Sequence, residues 1–395
     1  MRRVMFVGHT AKTSGGEIAL VRLIDALRGR IEPVVVLGED GPLVGTLQGM
    51  GVDVRVVPLG DDTRNLRKER LANPLVALGR VRDIVRYSRG LAALMRELRV
   101  DIVHTNTLKA GFYGCLAARL AGIPSVWHVR DRLAPDYLPR VAVLATRLGT
   151  AVLPTRVLTN SRATFATLSP RSFAVLGRKA ALTPPIADPL DAGTVPQAPP
   201  RAEGAPFRIG MVGRLSPWKG QVVAVRAFAA AGLPPSARLV LMGSAMFGEQ
   251  EYEREIHAEV DRLGLRDRVE FAGFVDDVLG ALGTFDVLVH ASTIPEPFGQ
   301  VVLEGLAAGV PVVATREGGP GEIVTDGADG LLYDAGDADA LAERLRELHS
   351  DAALRARLAR GGRARAADFA PEVVGGQVLA LYDGMVGARR SGQTA

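Results

Sequence analysis

Hydrophobic and polar positions along this chain alternate between two patterns. Short apolar runs (VMFVG, PVVVLG, VDVRVVPL, DIVHTN, PSVWHV and RVLTNS) are separated by longer stretches that read as helices. Short apolar runs recurring between helical segments predict a parallel, doubly wound sheet. After Thr183 the alternation stops in PPIADPLDAGTVPQAPPRAEGAP, whose prolines can neither continue a helix nor pair inside a sheet. It resumes at Phe207 with FRIGMVG, ARLVLMG, RVEFAGF, FDVLVHAS, VPVVAT and GLLYD. The pattern therefore predicts an α/β protein of two Rossmann-like domains, residues 1–185 and 207–370, joined by a linker over 186–206. An amphipathic helix over 371–390 is expected to cross back onto the first domain.

The stretch PEPFGQVVLEGLAAGVPVVAT, residues 295–315, organises the second domain. Phe298 to Ala308 reads as a helix, Gly309 as its end, and Pro311 as the start of a buried strand. Glu296 then sits in a loop at a strand's carboxyl end, where open α/β sheets bind ligands. Glu304 follows eight positions on, a carboxylate among apolar neighbours that is costly to bury without partners. Two carboxylates flanking a helix N-terminus suit a ligand carrying both hydroxyls and phosphate, such as a sugar joined to a nucleoside diphosphate. The plainer alternative is a loop glutamate and a surface glutamate.

Other segments extend this candidate site. In MVGRLSPWKG, Gly213, Arg214 and Lys219 follow the first strand of the second domain, and the two cations suit a diphosphate. Gly243, Phe274 and Val275 are candidates for an apolar slot around a nucleobase, and Phe298 and Gly299 join the donor-binding set. In the first domain, Gly15 and Gly16 open a helix and let backbone amides approach a phosphate, unless they are simply a helix cap. No Gly-x-Gly-x-x-Gly follows that strand, which weakens a dehydrogenase reading. His104, Asn106 and Lys109 follow one strand, and His128, Arg130 and Asp131 another, so their polar groups are candidates for a second substrate. A lone histidine is more often a satisfied structural residue.

Composition changes this picture in two respects. At 395 residues, 47% hydrophobic and 23% charged, the chain has the make-up of a soluble globular enzyme of two domains. Residues 1–200 hold 28 basic and 16 acidic residues and the remainder 20 and 27, a net +12 against −7, so the first half should prefer an anionic partner or surface. The basic region 64–99 carries Leu78, Val81, Val85, Leu91, Leu94 and Leu98 near helical spacing. It reads either as a helix packed on the sheet with solvated arginines or as a contact with an anionic membrane. No apolar run reaches about eighteen residues, the N-terminal run is too short for a signal peptide, and Cys115 is the only cysteine. A cytoplasmic protein, peripheral on the membrane at most, is expected. Six histidines without a close cluster predict no metal site.

The ordered set SGGE, HTNTLKA, WHVRD, VGRLSPWKG, FAGFVDDV and PEPFGQVVLEGLAAGVPVVAT resembles glycosyltransferase family 4, retaining enzymes of the GT-B fold. The resemblance covers nearly the whole chain, and its most specific part is the pair of glutamates separated by seven residues, with its Pro-Phe-Gly insert. It implies two Rossmann-like domains facing a central cleft, a nucleotide sugar held by the C-terminal domain, an acceptor held by the N-terminal one, and no cofactor or metal. By the same resemblance Arg214 and Lys219 bind the diphosphate, Glu304 the ribose hydroxyls and Glu296 the transferred sugar. His128 sits beside sugar and acceptor, and the Gly15 and Gly16 loop approaches the diphosphate. Glu296 and His128 are the candidate catalytic residues; His104, Asn106, Lys109 and Arg130 are candidate acceptor contacts. Two positions depart from the family pattern: Glu17 follows Gly16 directly, and Asn106 stands where many members have a second histidine. The expected reaction is hexosyl transfer from a UDP- or GDP-sugar to a hydroxyl, with a lipid-linked or anionic acceptor in cell-envelope synthesis or a natural-product acceptor. The alternatives are a nucleotide-sugar epimerase of the same fold and a basic nucleic-acid-binding protein, the latter leaving Glu296 and Glu304 without a role.

Overall fold

Strand β1 (Arg2–Gly8) shows why the apolar runs are continuous rather than alternating. Val4 and Phe6 pack into one buried cluster, Met5 and Val7 into another on the opposite face of the sheet. A strand covered on both faces has no solvent side, so every position is apolar. The computed structural model describes residues 1–59, 74–168, 181–182, 186–196, 204–245, 248–275 and 277–391, with side chains described outside 74–81, 181–182 and 387–391.

The chain forms two units, Met1–Pro189 with Pro371–Ala395, and Leu190–Ala370. In the first, β1 is joined by β2 (Ile31–Leu37), β3 (Asp53–Val56), β4 (Ile102–Thr105), β5 (Ser125–Val129), β6 (Arg156–Thr159) and a two-residue β7 (Ala181–Leu182) that the apolar pattern does not reveal. All pair in parallel in the order β3-β2-β1-β4-β5-β6-β7. The helices between them are α1 (Gly15–Ala26), α2 (Pro42–Gly49), α3 (Pro74–Glu97), α4 (Leu108–Ala121), α5 (Arg140–Val152) and α6 (Arg162–Thr167).

The second unit repeats the arrangement. Its strands are β8 (Arg208–Val212), β9 (Arg238–Met242), β10 (Val269–Gly273), β11 (Val287–Val289), β12 (Val312–Thr315) and β13 (Leu331–Tyr333), parallel in the order β10-β9-β8-β11-β12-β13. Its helices are α7 (Gln221–Ala230), α8 (Gln250–Arg262), α9 (Val278–Leu282), α10 (Gln300–Ala308), α11 (Pro320–Ile323), α12 (Ala338–Ser350) and α13 (Ala352–Ala366). The last helix, α14 (Pro371–Ser391), packs Val374, Val378, Tyr382 and Met385 into the core of the first unit. In each sheet the strand order reverses once, between β1 and β4 and between β8 and β11. Ligands of such sheets sit at the carboxyl ends of the strands beside that reversal.

Two expectations change. Residues 186–189 of the proline-rich stretch are packed against the first unit: Ile186 and Asp188 are buried, and the Ile186 amide donates to the Thr159 carbonyl at 2.9 Å. Residues 197–203 of that stretch lie outside the described residues. The basic region is helical from Pro74, and Leu91 is fully buried with Leu94 and Leu98 packed beside it, while Arg82, Arg86 and Arg89 are exposed. That apolar face is occupied by the protein's own core. Residues 60–73, and the side chains of Leu78 and Val81, lie outside the described residues.

The ends of β8 and β9 approach so closely that a Cβ on Gly243, at φ +141°, would stand 2.1 Å from the Gly213 carbonyl oxygen. At Gly16 a Cβ would meet nothing within 4 Å. Gly243→Ala should therefore cost about 2–4 kcal/mol in urea unfolding. Gly16→Ala should melt no lower than the unsubstituted protein; equal melting of both variants would contradict the packing described.

Candidate functional site

At the reversal in the second sheet, the chain leaving β11 carries His290 and Ser292, and the chain leaving β8 carries Arg214 and Lys219. Lys219, His290 and Ser292 meet at Glu296. Lys219 Nζ donates to Glu296 Oε1 at 2.7 Å; His290 Nε2 and the Ser292 hydroxyl reach Oε2 at 2.6 and 2.8 Å. The Thr315 hydroxyl lies 3.2 Å from His290 Nδ1, and the Tyr333 hydroxyl donates to the His290 carbonyl. A carboxylate only accepts, so His290 donates to Glu296 through Nε2–H. Burial alone would raise the Glu296 carboxyl, but the Lys219 ammonium and His290 outweigh it and hold the group well below the usual carboxylate range. The side chains of Glu296 and Lys219 are 12% and 15% exposed.

The backbone fixes this carboxylate from the other side. Glu296 bridges to Gly318, and its carbonyl accepts from the Gly319 amide at 2.8 Å. Gly299, at φ +98°, precedes α10 and has no side chain to accept from the first-turn amides beside Glu296. Ser216 Oγ and Gln300 Nε2 are buried without a hydrogen-bond partner among the described residues. Arg214 forms an ion pair with Glu249 at 3.2 Å and lies about one-third exposed. Gly213 and Gly243 end β8 and β9 side by side, and Glu304 is buried on α10. Two expected donor contacts are placed differently. Phe298 is a core residue, 5% exposed, with its ring 6.2 Å from that of Phe369. Phe274 is 69% exposed and Val275 partly buried, an open surface instead of a closed slot.

The first unit has a second polar cluster at its own reversal. Asn106, just past β4, donates to the Gly16 carbonyl at 2.9 Å and accepts from Arg130 Nε at 2.9 Å; Arg130 in turn pairs with Asp188. The Gly15–Gly16 turn is thus held to the ends of β4 and β5 by side chains. Arg130 and Asp188 are both buried, and Arg130 Nη2 has no partner among the described residues. His104 is fully buried, its ring nitrogens engaged by Tyr382 and His128, so it is a supporting residue and offers no surface to an acceptor. Burial and the Arg130 charge lower the His104 imidazole to about 3 and His128 well below the ordinary value, so both are neutral. Lys109 is exposed on the first turn of α4. Glu17 is buried under the Ser14 hydroxyl, and burial raises its carboxyl. Asp131 accepts from the Tyr137 hydroxyl at 3.3 Å. Among the described residues no group of three or more His, Cys, Asp or Glu is placed to hold a metal ion, and no helix is long and apolar enough to cross a membrane.

Comparison with known proteins places this geometry. A family model described as "Glycosyl transferases group 1" matches residues 197–365, and one described as "Glycosyl transferase 4-like domain" matches residues 14–171. The D-inositol 3-phosphate glycosyltransferase of Stackebrandtia nassauensis is 30% identical over 316 residues, 74% of this chain and 71% of that protein. The chain belongs to glycosyltransferase family 4. Its GT-B fold is shared with Anabaena Alr3699/HepE, solved in complex with UDP and glucose: TM-score 0.79, 26% identity, 97% of this chain and all of that one. The lipopolysaccharide core biosynthesis glycosyltransferase LpsE of Rhizobium meliloti is 39% identical over 137 residues, which is 34% of this chain and only 40% of that relative.

In this family 4 chain, sequence reasoning missed His290 and Ser292 as partners of Glu296, and His9, whose Nδ1 lies 3.0 Å from the Thr107 hydroxyl. Each follows directly on an apolar run, so the rule that exposes Glu296, polar residues at a strand's carboxyl end, would have found them.

Removing the cation should leave Glu296 charged and poorly paired. Lys219→Met is expected to cost about 1–3 kcal/mol at pH 7. The loss should shrink toward pH 4, because the unpaired carboxyl, its pKa now raised by burial, takes up a proton in the folded variant while the wild-type group stays ionised. Urea unfolding at both pH values checks this; a pH-independent difference would mean that the pair is not coupled.

Proposed function

We propose that this chain is a retaining glycosyltransferase that moves a hexose from a UDP-sugar to an acceptor hydroxyl. The observation that carries the reading is the charged Glu296 carboxylate, held by Lys219, His290 and Ser292 beside the uncapped start of α10. A nucleotide sugar needs three things from such a site: positive charge for the diphosphate, acceptors for sugar hydroxyls and free amides for phosphate oxygens. Lys219 has three N–H donors and gives one to Glu296, which leaves the others for phosphate. Arg214 adds a second cation, and Glu304 is assigned to the ribose by the family pattern. The absence of any steric demand for glycine at position 16 supports a ligand role for the Gly15–Gly16 turn. UDP is favoured over GDP by the UDP and glucose in the 26% identical Anabaena protein.

In this proposal the bond from the anomeric carbon to the diphosphate oxygen breaks as the acceptor oxygen bonds to that carbon from the same face. The acceptor proton passes to a phosphate oxygen, so no separate base is required. Lys219 and Arg214 stabilise the charge that develops on the departing diphosphate, without a metal ion. Glu296 orients the sugar through its hydroxyls. The acceptor is an anionic or lipid-linked saccharide or polyol at the cytoplasmic membrane face. That choice is supported by the basic excess of residues 1–200 and by the names of the lipopolysaccharide-core and inositol-phosphate relatives.

Purified protein incubated with UDP-glucose and candidate acceptors should release UDP only when an acceptor is present, and proton NMR of the product should show the donor's α configuration. Glu296→Gln should lower kcat about 10²–10³-fold with the fold intact. A β-linked product would refute retention. Conversion of the UDP-sugar without acceptor would establish the epimerase alternative.

A further inference from the structure

Tyr382, His104 and His128 form a single file of hydrogen bonds inside the first unit. The Tyr382 hydroxyl lies 2.7 Å from His104 Nδ1, and His104 Nε2 lies 3.1 Å from His128 Nδ1. Tyr382 and His104 have no exposed surface and His128 has 2%. The far end of the file, His128 Nε2, is buried without a partner among the described residues. The file begins on α14, which returns to this unit from the far end of the chain, and ends on β5 at the residue the family pattern places beside the sugar.

A neutral imidazole has one N–H and one bare nitrogen, so the file admits two directions. In the first, the Tyr382 hydroxyl donates to His104 Nδ1, His104 Nε2–H donates to His128 Nδ1, and the His128 proton sits on Nε2. In the second, every bond is reversed: His128 Nδ1–H donates to His104, and His104 Nδ1–H donates to the phenol oxygen. Both leave His128 Nε2 open. They differ in which donor stays open: His128 Nε2–H is open in the first direction, where the hydroxyl proton has an acceptor. In the second it has none, because His104 is the only hydrogen-bond partner of the Tyr382 hydroxyl among the described residues. Each direction leaves one buried donor open within the protein, but Tyr382 has no exposed surface whereas His128 has 2%, so only in the first can a ligand or a water complete that donor, and the first direction prevails. Reversal by double protonation is opposed by burial and by Arg130, which keep both rings neutral.

We propose that Tyr382 and His104 are positioning residues that fix His128 as a hydrogen-bond donor at Nε2, presenting N–H to a ligand oxygen instead of a lone pair to a proton. This deepens the transferase reading and rests on it only for the identity of that ligand. A fixed donor suits a sugar or acceptor oxygen in a reaction whose departing phosphate takes the proton, and it removes His128 from the role of general base.

The test is a long-range proton–nitrogen correlation spectrum of the histidine rings in uniformly ¹⁵N-labelled full-length protein at pH 6 to 8. With six histidines in the chain, single His→Gln variants assign the signals. His104 and His128 should both appear as neutral Nε2–H tautomers that do not titrate in this range; an Nδ1–H or doubly protonated His128 in the wild type would overturn the proposal. In Tyr382→Phe, the His128 signals should shift toward a mixture of tautomers and kcat for UDP-glucose should fall about tenfold with KM little changed. An unaltered spectrum or an unaltered kcat would remove the positioning role. The wild-type spectrum decides the direction of the file even if the variant fails to fold, and whether or not the protein transfers sugar.

Discussion

A carboxylate kept charged inside the protein is the constraint on which the second unit depends. Glu296 is almost withdrawn from water, and an ionised group there persists only if its partners supply what the solvent did. Lys219 supplies the opposite charge, and His290 and Ser292 supply the remaining donors. These groups come from chain segments leaving two neighbouring strands, β8 and β11, and they converge because the strand order reverses between those strands. The tight packing of Gly243 on Gly213, and of Gly318 on the Glu296 backbone, holds the loops at the separation this cluster requires. The same closeness that stabilises the cluster sets Lys219 against Glu296, close to the start of α10.

The first unit solves a related problem with one buried ion pair and a set of neutral groups. Its buried polar residues at the sheet reversal are satisfied by one another along two routes: Gly16 to Asn106 to Arg130 to Asp188, and Tyr382 to His104 to His128. The first ties a turn with no steric need for glycine to the strand ends. The second leaves one ring nitrogen unspent. Burial first, and the Arg130 charge second, keep both histidines neutral, so Arg130 links the two routes electrostatically. Buried networks of this kind are costly when half satisfied, and His128 Nε2 and Arg130 Nη2 are left without a partner among the described residues.

The architecture was legible in the sequence because strands covered on both faces are written as unbroken apolar runs; Met5, Phe6 and Val7 are an example. Candidate ligand residues were legible where polar groups follow such runs, as Asn106, Lys219 and Glu296 do. What stayed hidden was partnership between distant positions. Nothing in the sequence pairs Arg130 with Asp188, 58 positions away, or His104 with Tyr382, 278 positions away. For that reason His104 reads as an acceptor contact when it is a support, and Phe298 as a donor contact when it is core. The two-residue β7 is too short to carry a period.

The central claim is that the Lys219–Glu296 cluster receives the diphosphate and sugar of the donor. A crystal structure of the protein soaked with UDP-glucose tests it most directly. The account predicts diphosphate oxygens within hydrogen-bond distance of Lys219 and the sugar hydroxyls facing Glu296. A nucleotide bound elsewhere, with the Lys219–Glu296 pair and its surroundings empty of ligand, would contradict it.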